Sequence, residues 1–343
     1  MNAAVMSCTR MAILQGCVPY GVLDSIEGLA NGKFLKLEWN DVALWSSDGG
    51  SHLGTQRELP DSKTISQIAQ SLKKFSIHGL ILIGGFTAFH SCLILAQARN
   101  DYPELCIPMC VVPCTIDNNV PGTSFSLGAD TSLNEICGSI DKIKKAATGS
   151  KRRVFIIETM GDYCGYLATL AAMASAANAS YIFEELFTVY DLLDDLREIK
   201  EQMKSTTQSY LIVRSEHASS NYSAAFIRQL FSEEGKGTFS ARVNYLGHTQ
   251  QGGNPSPFDR IQGNKMGAKV VVHIIEQIQE FQKAKMRDPR TATLIGLLGR
   301  RECMIPVEEL ADEADFVYRL PREQWWLKLR PIIKILGKRP QLQ

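Results

Sequence analysis

The sequence predicts an α/β protein: parallel sheet with helices on both faces. Short apolar runs rich in Ile, Val and Leu alternate with longer segments of helical period. Small, glycine-rich loops follow those runs, and such sheets bind ligands beyond the carboxyl ends of their strands. The 343 residues suffice for two domains.

In chain order, the N-terminus Met1-Asn2-Ala3-Ala4-Val5 reads as the start of a helix that Gly16 stops. Further helices are predicted over residues 64–74, 129–148, 191–205, 222–232 and 263–286. Strands are predicted over 80–83, 107–112, 154–157, 210–213 and 293–298. The first four strands lead into Gly84-Gly85, Thr115 to Asn119, Met160-Gly161-Asp162 and Arg214 to His217. The Ala-rich stretch 166–183 carries Thr169, Ser175, Asn178 and Ser180, so it reads as a buried helix running into a strand rather than a membrane span.

Composition excludes several classes. A net charge of +1 with no long run of one sign gives no support to nucleic-acid or membrane-surface binding. Nine cysteines without a C-x-x-C pair point to reduced thiols and a cytoplasmic setting, not a disulfide framework. Cys106, Cys110 and Cys114, spaced by four, read as buried thiols on one strand face. The N-terminus has no basic region followed by an apolar core, so no secretory leader is read there. Neither G-x-G-x-x-G nor G-x-x-x-x-G-K-[ST] occurs, which leaves a dinucleotide or P-loop reading weak.

Two loops, residues 113–123 and 246–255, are dense in glycine and short hydrogen-bonding side chains, as a polyol ligand requires. Together with Leu82-Ile83-Gly84-Gly85, residues 157–166 and Pro257-Phe258-Asp259-Arg260, they resemble, in order, the motifs of ATP-dependent 6-phosphofructokinase across nearly the whole chain. Glu233-Glu234-Gly235-Lys236-Gly237, Gln250-Gln251-Gly252-Gly253 and residues 323–330 resemble more narrowly the C-terminal half of the duplicated animal enzyme. The resemblance implies a phosphofructokinase fold of two Rossmann-like, doubly wound domains flanking a cleft. The larger is expected over 1–128 plus about 250–290, the smaller over 129–249 plus about 291–343. In the animal enzyme the first half keeps catalysis and the second binds fructose 2,6-bisphosphate.

Phosphoryl transfer needs a positioned magnesium, a base and cations around the transferred group. Where the family's catalytic pattern has Gly-Gly-Asp-Gly, this chain has Gly84-Gly85-Phe86, and Phe86 cannot hold a hard cation. Thr115-Ile116-Asp117-Asn118-Asn119 retains an acid at the base position, Asp117, but replaces the second acid by Asn119. Met160-Gly161-Asp162 replaces a phosphate-facing Arg by an anion, and Gln250-Gln251-Gly252-Gly253 loses another Arg at Gln251. The binding positions implied by the resemblance are better kept. Arg57 matches a phosphate-binding arginine of the effector site and Arg319 a late arginine of that site, Arg153 and Arg242 match positions reaching a ligand across a subunit interface, and Glu216 matches a sugar-hydroxyl acceptor. His248, Thr249, Gln250 and Gln251 match further sugar and phosphate contacts, with Thr115, Ile116, Asp117, Asn118, Asn119, Met160, Gly161 and Asp162 completing the effector set.

ATP and magnesium are thus implied for the family but not productively for this half, and no metal ligand is assigned. The implied partners are fructose 2,6-bisphosphate or fructose 6-phosphate, and a catalytic half or other subunits in a tetramer-like homo-oligomer. Family members open with a strand and Gly-rich turn before Met-Asn-Ala-Ala-Val, so an upstream strand is expected to be missing. The competing functions are an active kinase using Asp117 as base and an unrelated doubly wound nucleotide-binding enzyme.

Overall fold

The structure, a computed structural model, describes residues 1–147, 152–204, 209–281 and 285–337. Thr148, Ser205 and residues 282–284, included in the expected helices, lie outside this set. The chain separates into two units: Met1–Thr115 with Asn119–Asp130 and Asn254–Glu323, and Ile116–Asn118 with Thr131–Gly253 and Gln324–Gln343.

The first unit is organised by a sheet in the order Arg301–Pro306, Ala292–Leu298, Met109–Thr115, Leu80–Gly84. The last three strands are parallel, with Leu80 and Ala292 both in register with Met109. Alternate side chains enter two cores. Val111 and Leu294 pack with Ile68, Phe89 and Leu95 on one face, whereas Cys110, Val112 and Ile295 pack with Ala4, Met266 and Val270 on the other. Both faces are covered, by the helices Ser62–Lys74 and Phe86–Gln97 and by Asn2–Leu14 and Pro257–Glu280, which is why the strands read as continuous apolar runs. Asp61, Ser223 and Ser256 accept from backbone amides at three helix starts.

The second unit carries a parallel sheet in the order Ala179–Tyr181, Ser209–Ser215, Arg153–Thr159, Ser240–Tyr245. Val154, Ile156, Tyr210 and Ile212 pack against Leu192, Leu196 and Ile199 of Val189–Lys204 and against Ile227 and Phe231 of Ala224–Glu234. From the adjacent strands Arg153–Thr159 and Ser209–Ser215 the chain leaves toward opposite edges of the sheet. That is the topological switch point at which doubly wound sheets place ligands.

Several expectations need correction. Residues 291–323 were expected in the smaller domain, but Ala292–Leu298 pairs parallel with Met109–Thr115 and draws 254–323 into the first unit. The sheet of that unit is not wholly parallel, because Arg301–Pro306 folds back antiparallel after Gly299, at φ 62°. The three evenly spaced cysteines do not share a face. Cys106 follows a 3₁₀ turn and packs with Phe281 and Met286, while Cys110 and Cys114 join another core. Burial pushes the Cys110 thiol up to about 12.

The Ala-rich stretch does form a helix, Tyr166–Ala174, followed by the strand Ala179–Tyr181. Among the described residues no helix is long and apolar enough to cross a membrane. Glu184 receives the Gly165 amide at the start of this helix, at 2.7 Å. A side chain at Gly165 would come within 2.5 Å of that carboxylate. Burial pushes the Glu184 pKa up from 4.5 against the pull of the Gly165 amide. The folded state therefore holds this proton to higher pH than the unfolded chain, and stability falls as pH rises from 4.5 through the folded value. Glu184→Gln keeps the acceptor and is expected to flatten that slope in urea titrations between pH 4.5 and neutrality, each unit of separation being worth about 1.4 kcal/mol. Parallel slopes in variant and parent would show that Glu184 does not set it.

Candidate functional site

The carboxyl ends of the second unit's strands release three loops that bind one another. Glu216 N donates to Thr159 O at 2.9 Å and Leu246 N to Glu158 O at 3.0 Å, so the loops leave at one level. The Met160-Gly161-Asp162 turn lies against both neighbours. Met160 N donates to Gln250 Oε1 at 2.8 Å, and Gly161 N and Asp162 N donate to Glu216 Oε1 at 3.0 and 2.9 Å. Gly161 has φ 146°, and a side chain there would meet Cys164 O at 2.8 Å, so only glycine fits the turn. Asp162 follows in the left-handed region at φ 52°. Its carboxylate is 3.6 Å from His217 Nδ1, and the His217 ring stacks on Tyr163 at 4.8 Å.

Gln250, expected to touch ligand, is 1% exposed and reaches Met160 N and Ser132 Oγ with its two side-chain ends, so it supports the turn. His248, Thr249 and Gln251 are exposed on the 3₁₀ segment Gly247–Gln251. Asp117 and Asn118 belong to the same unit; Asn118 is buried with φ 55°. Burial above all, with Glu184 and then Asp117 and Asp162 adding, raises the Cys164 thiol well above its ordinary value. Arg153 and Arg242 are not part of this constellation. They sit at the amino end of the sheet, where Arg153 Nη1 donates to Ser240 Oγ at 2.6 Å and Arg242 is exposed.

In the first unit, Asn119 Nδ2 donates to Arg319 O at 3.0 Å, joining two expected positions; Arg319 adopts φ 56°. Arg57 is exposed on the segment leading to the helix Ser62–Lys74. Gly85 comes close enough to Thr115 that a Cβ on it would lie 2.9 Å from the Thr115 Cβ. Phe86 begins the helix Phe86–Gln97 and is 4% exposed, its ring 5.7 Å from Phe89 and 5.6 Å from Phe316. Phe316 also stacks on Phe89 and meets His90, whose pKa is lowered by burial and then by Arg319.

Restoring an acid by Asn119→Asp replaces a donor by a carboxylate against the Arg319 carbonyl. It is expected to cost about 1–3 kcal/mol in chemical denaturation. An unchanged midpoint would show the hydrogen bond to be dispensable.

Sequence reasoning missed Arg214 and His217. Arg214 is 1% exposed at the end of an apolar strand, and an arginine directly after the apolar run 210–213 was the available signal.

The phosphofructokinase family model matches residues 1–274. The chain is 54% identical over 342 residues to ATP-dependent 6-phosphofructokinase 1 of Caenorhabditis elegans, covering 98% of this chain and 42% of that protein. It is 57% identical over 341 residues to the ATP-dependent 6-phosphofructokinase of Haemonchus contortus, covering 98% and 43%. The solved phosphofructokinase of Saccharomyces cerevisiae superposes with a TM-score of 0.95 at 33% identity, covering 100% of this chain and 46% of that one. The chain thus spans less than half the length of these relatives. Family model, sequence relatives and shared architecture agree: the chain belongs to the phosphofructokinase family.

Proposed function

We propose that this chain acts as the sugar-bisphosphate-binding, non-catalytic half of a glycolytic ATP-dependent 6-phosphofructokinase, corresponding to the C-terminal half of the duplicated animal enzyme. The observation that carries the reading is Phe86. At the position where the catalytic pattern needs an aspartate for magnesium, a buried phenyl ring packs against Phe89 and Phe316. These residues do not fit a hard cation, which wants oxygen ligands. Asp117 keeps an acid at the base position, but without a metal ligand at 86 and arginines at 162 and 251 it lacks the groups that make a base useful.

The second unit supports ligand binding instead. Gly161 and Asp162 turn their amides onto Glu216 Oε1, which fixes that carboxylate and leaves Oε2 to accept from a sugar hydroxyl. His248 and Gln251 are exposed on the segment Gly247–Gln251, whose Gln250 holds Met160 N, and they match the family's sugar and phosphate contacts in sequence. Arg153 and Arg242, at the amino end of the sheet, are the residues proposed to serve a ligand held by a neighbouring subunit.

Calorimetric titration tests this directly. Fructose 2,6-bisphosphate is expected to bind at least about tenfold tighter than fructose 6-phosphate, a second charge-assisted phosphate contact being worth about 1.5–3 kcal/mol. A preference for the monophosphate, or binding of neither, contradicts the reading. Asp162 tempers the site, since a carboxylate near a phosphate costs on the order of 1 kcal/mol. Asp162→Gly also suits the left-handed backbone at φ 52°, and it is expected to tighten bisphosphate binding about fivefold. Asp162→Asn, which tolerates the same backbone, should do the same. If neither variant changes affinity, the carboxylate points away from the ligand.

A further inference from the structure

One side chain that no expected contact includes holds the Glu216 loop in place. Arg214 is 1% exposed, and every nitrogen of its guanidinium donates inside the second unit. Nη1 reaches Glu158 Oε2 at 2.6 Å, Ser215 O at 2.9 Å and Glu216 O at 3.0 Å. Nη2 reaches Ser219 O at 3.0 Å and Nε reaches Tyr222 O at 3.2 Å. The loop from Ser215 to Tyr222 is therefore wrapped around one buried cation. Ser219 Oγ tightens the wrap by accepting from Asn221 N and Tyr222 N at 3.2 Å each.

The consequence falls on Glu216. Its carbonyl is held by Arg214, its amide by Thr159 O at 2.9 Å, and its carboxylate by the Gly161 and Asp162 amides. Glu158, the ionic anchor of Arg214, lies on the strand that leads into that same turn. Burial raises Glu158 and Arg214 draws it back. Other charged groups near the anchor are Glu216 and His217. One guanidinium thus fixes both sides of the Glu216–Gly161 contact: the loop that carries the acceptor and the strand that carries the donors.

We propose that Arg214 is a positioning residue for sugar-phosphate binding, setting the Glu216 carboxylate and through it the Met160-Gly161-Asp162 turn; the inference rests on the binding function proposed above. A lysine cannot replace it. An ammonium has three donors on a flexible stem, whereas the planar fork reaches the carboxylate and four carbonyls at fixed angles.

The test uses Arg214→Lys in the 343-residue chain, well below its melting temperature. Fructose 2,6-bisphosphate affinity is measured by calorimetry, and hydrogen exchange of the Gly161 and Asp162 amides without ligand. The lysine variant is expected to lose about tenfold or more in affinity, as small misplacements of binding groups do. Its two amides are expected to exchange about tenfold faster, since their acceptor is no longer held. A folded lysine variant with parental affinity and protection overturns the proposal, because a merely structural role would lower the melting temperature and leave both readouts alone. Should the parent bind no sugar bisphosphate, the binding function fails. The exchange measurement still decides the role of Arg214, and unchanged protection overturns it. If Arg214→Lys does not fold, Glu158→Gln keeps the guanidinium but removes its ionic anchor. It is expected to speed exchange about threefold, and parental exchange in that variant overturns the proposal.

Discussion

Incubation of this chain with fructose 6-phosphate, ATP and magnesium is expected to release ADP at least about 10⁴-fold more slowly than a typical enzyme turnover near 10 s⁻¹. The size of the effect follows from what is absent. One preorganised charge-stabilising group is commonly worth about 10²–10³ in rate, and three such positions carry Phe86, Asp162 and Gln251. The aromatic packing of Phe86 makes the loss hard to reverse. Phe86→Asp would place a carboxylate against Phe89 and Phe316 at a position 4% exposed, at a cost in stability before any gain in metal binding. A coupled ADP assay checks the expectation. Turnover within about tenfold of 10 s⁻¹ would show that other residues supply the missing charges.

Arg214→Met carries the largest expected effect on stability. It removes one partner of a buried ion pair, strands Glu158, and takes the guanidinium donors from the carbonyls of Glu216, Ser219 and Tyr222, while Ser215 O keeps the Ala218 amide. Breaking a buried pair from one side costs about 3–5 kcal/mol, a large share of the roughly 5–15 kcal/mol that keeps a domain folded. Guanidinium denaturation reads it out. A loss below about 1 kcal/mol would mean that water or a shifted side chain satisfies the loop.

Much of the fold was legible because its strands are buried on both faces. Leu80–Gly84, Arg153–Thr159, Ser209–Ser215 and Ala292–Leu298 contain the apolar runs that announced them, and Met109–Thr115 begins two residues into the run expected at 107–112. The elements that escaped have different chemistry. Ser240–Tyr245 lies at a sheet edge and mixes Ser, Arg and Asn with apolar residues, so no run marks it. Phe86–Gln97 is apolar on most sides, and a helix without a polar face has no period to detect. The domain assignment of residues 291–323 could not be read at all, since it depends on which distant strand Ala292–Leu298 pairs with. Within the site, the family resemblance singled out Gly161, Glu216 and Gln250, but not that Gln250 would spend its amide on Met160. Nor could spacing reveal that the arginine beside Glu216 points inward to build the loop.

The central claim is that the Met160-Gly161-Asp162 turn and Glu216 receive a sugar bisphosphate in a half that no longer transfers phosphate. Amide NMR of the ¹⁵N-labelled chain titrated with fructose 2,6-bisphosphate tests it most directly. The account predicts saturable shifts of the Gly161 and Asp162 amides, with the Phe86 amide unmoved by ATP and magnesium. Gly161 and Asp162 resonances that stay in place at saturating ligand, while the Phe86 region responds to ATP and magnesium, would contradict it.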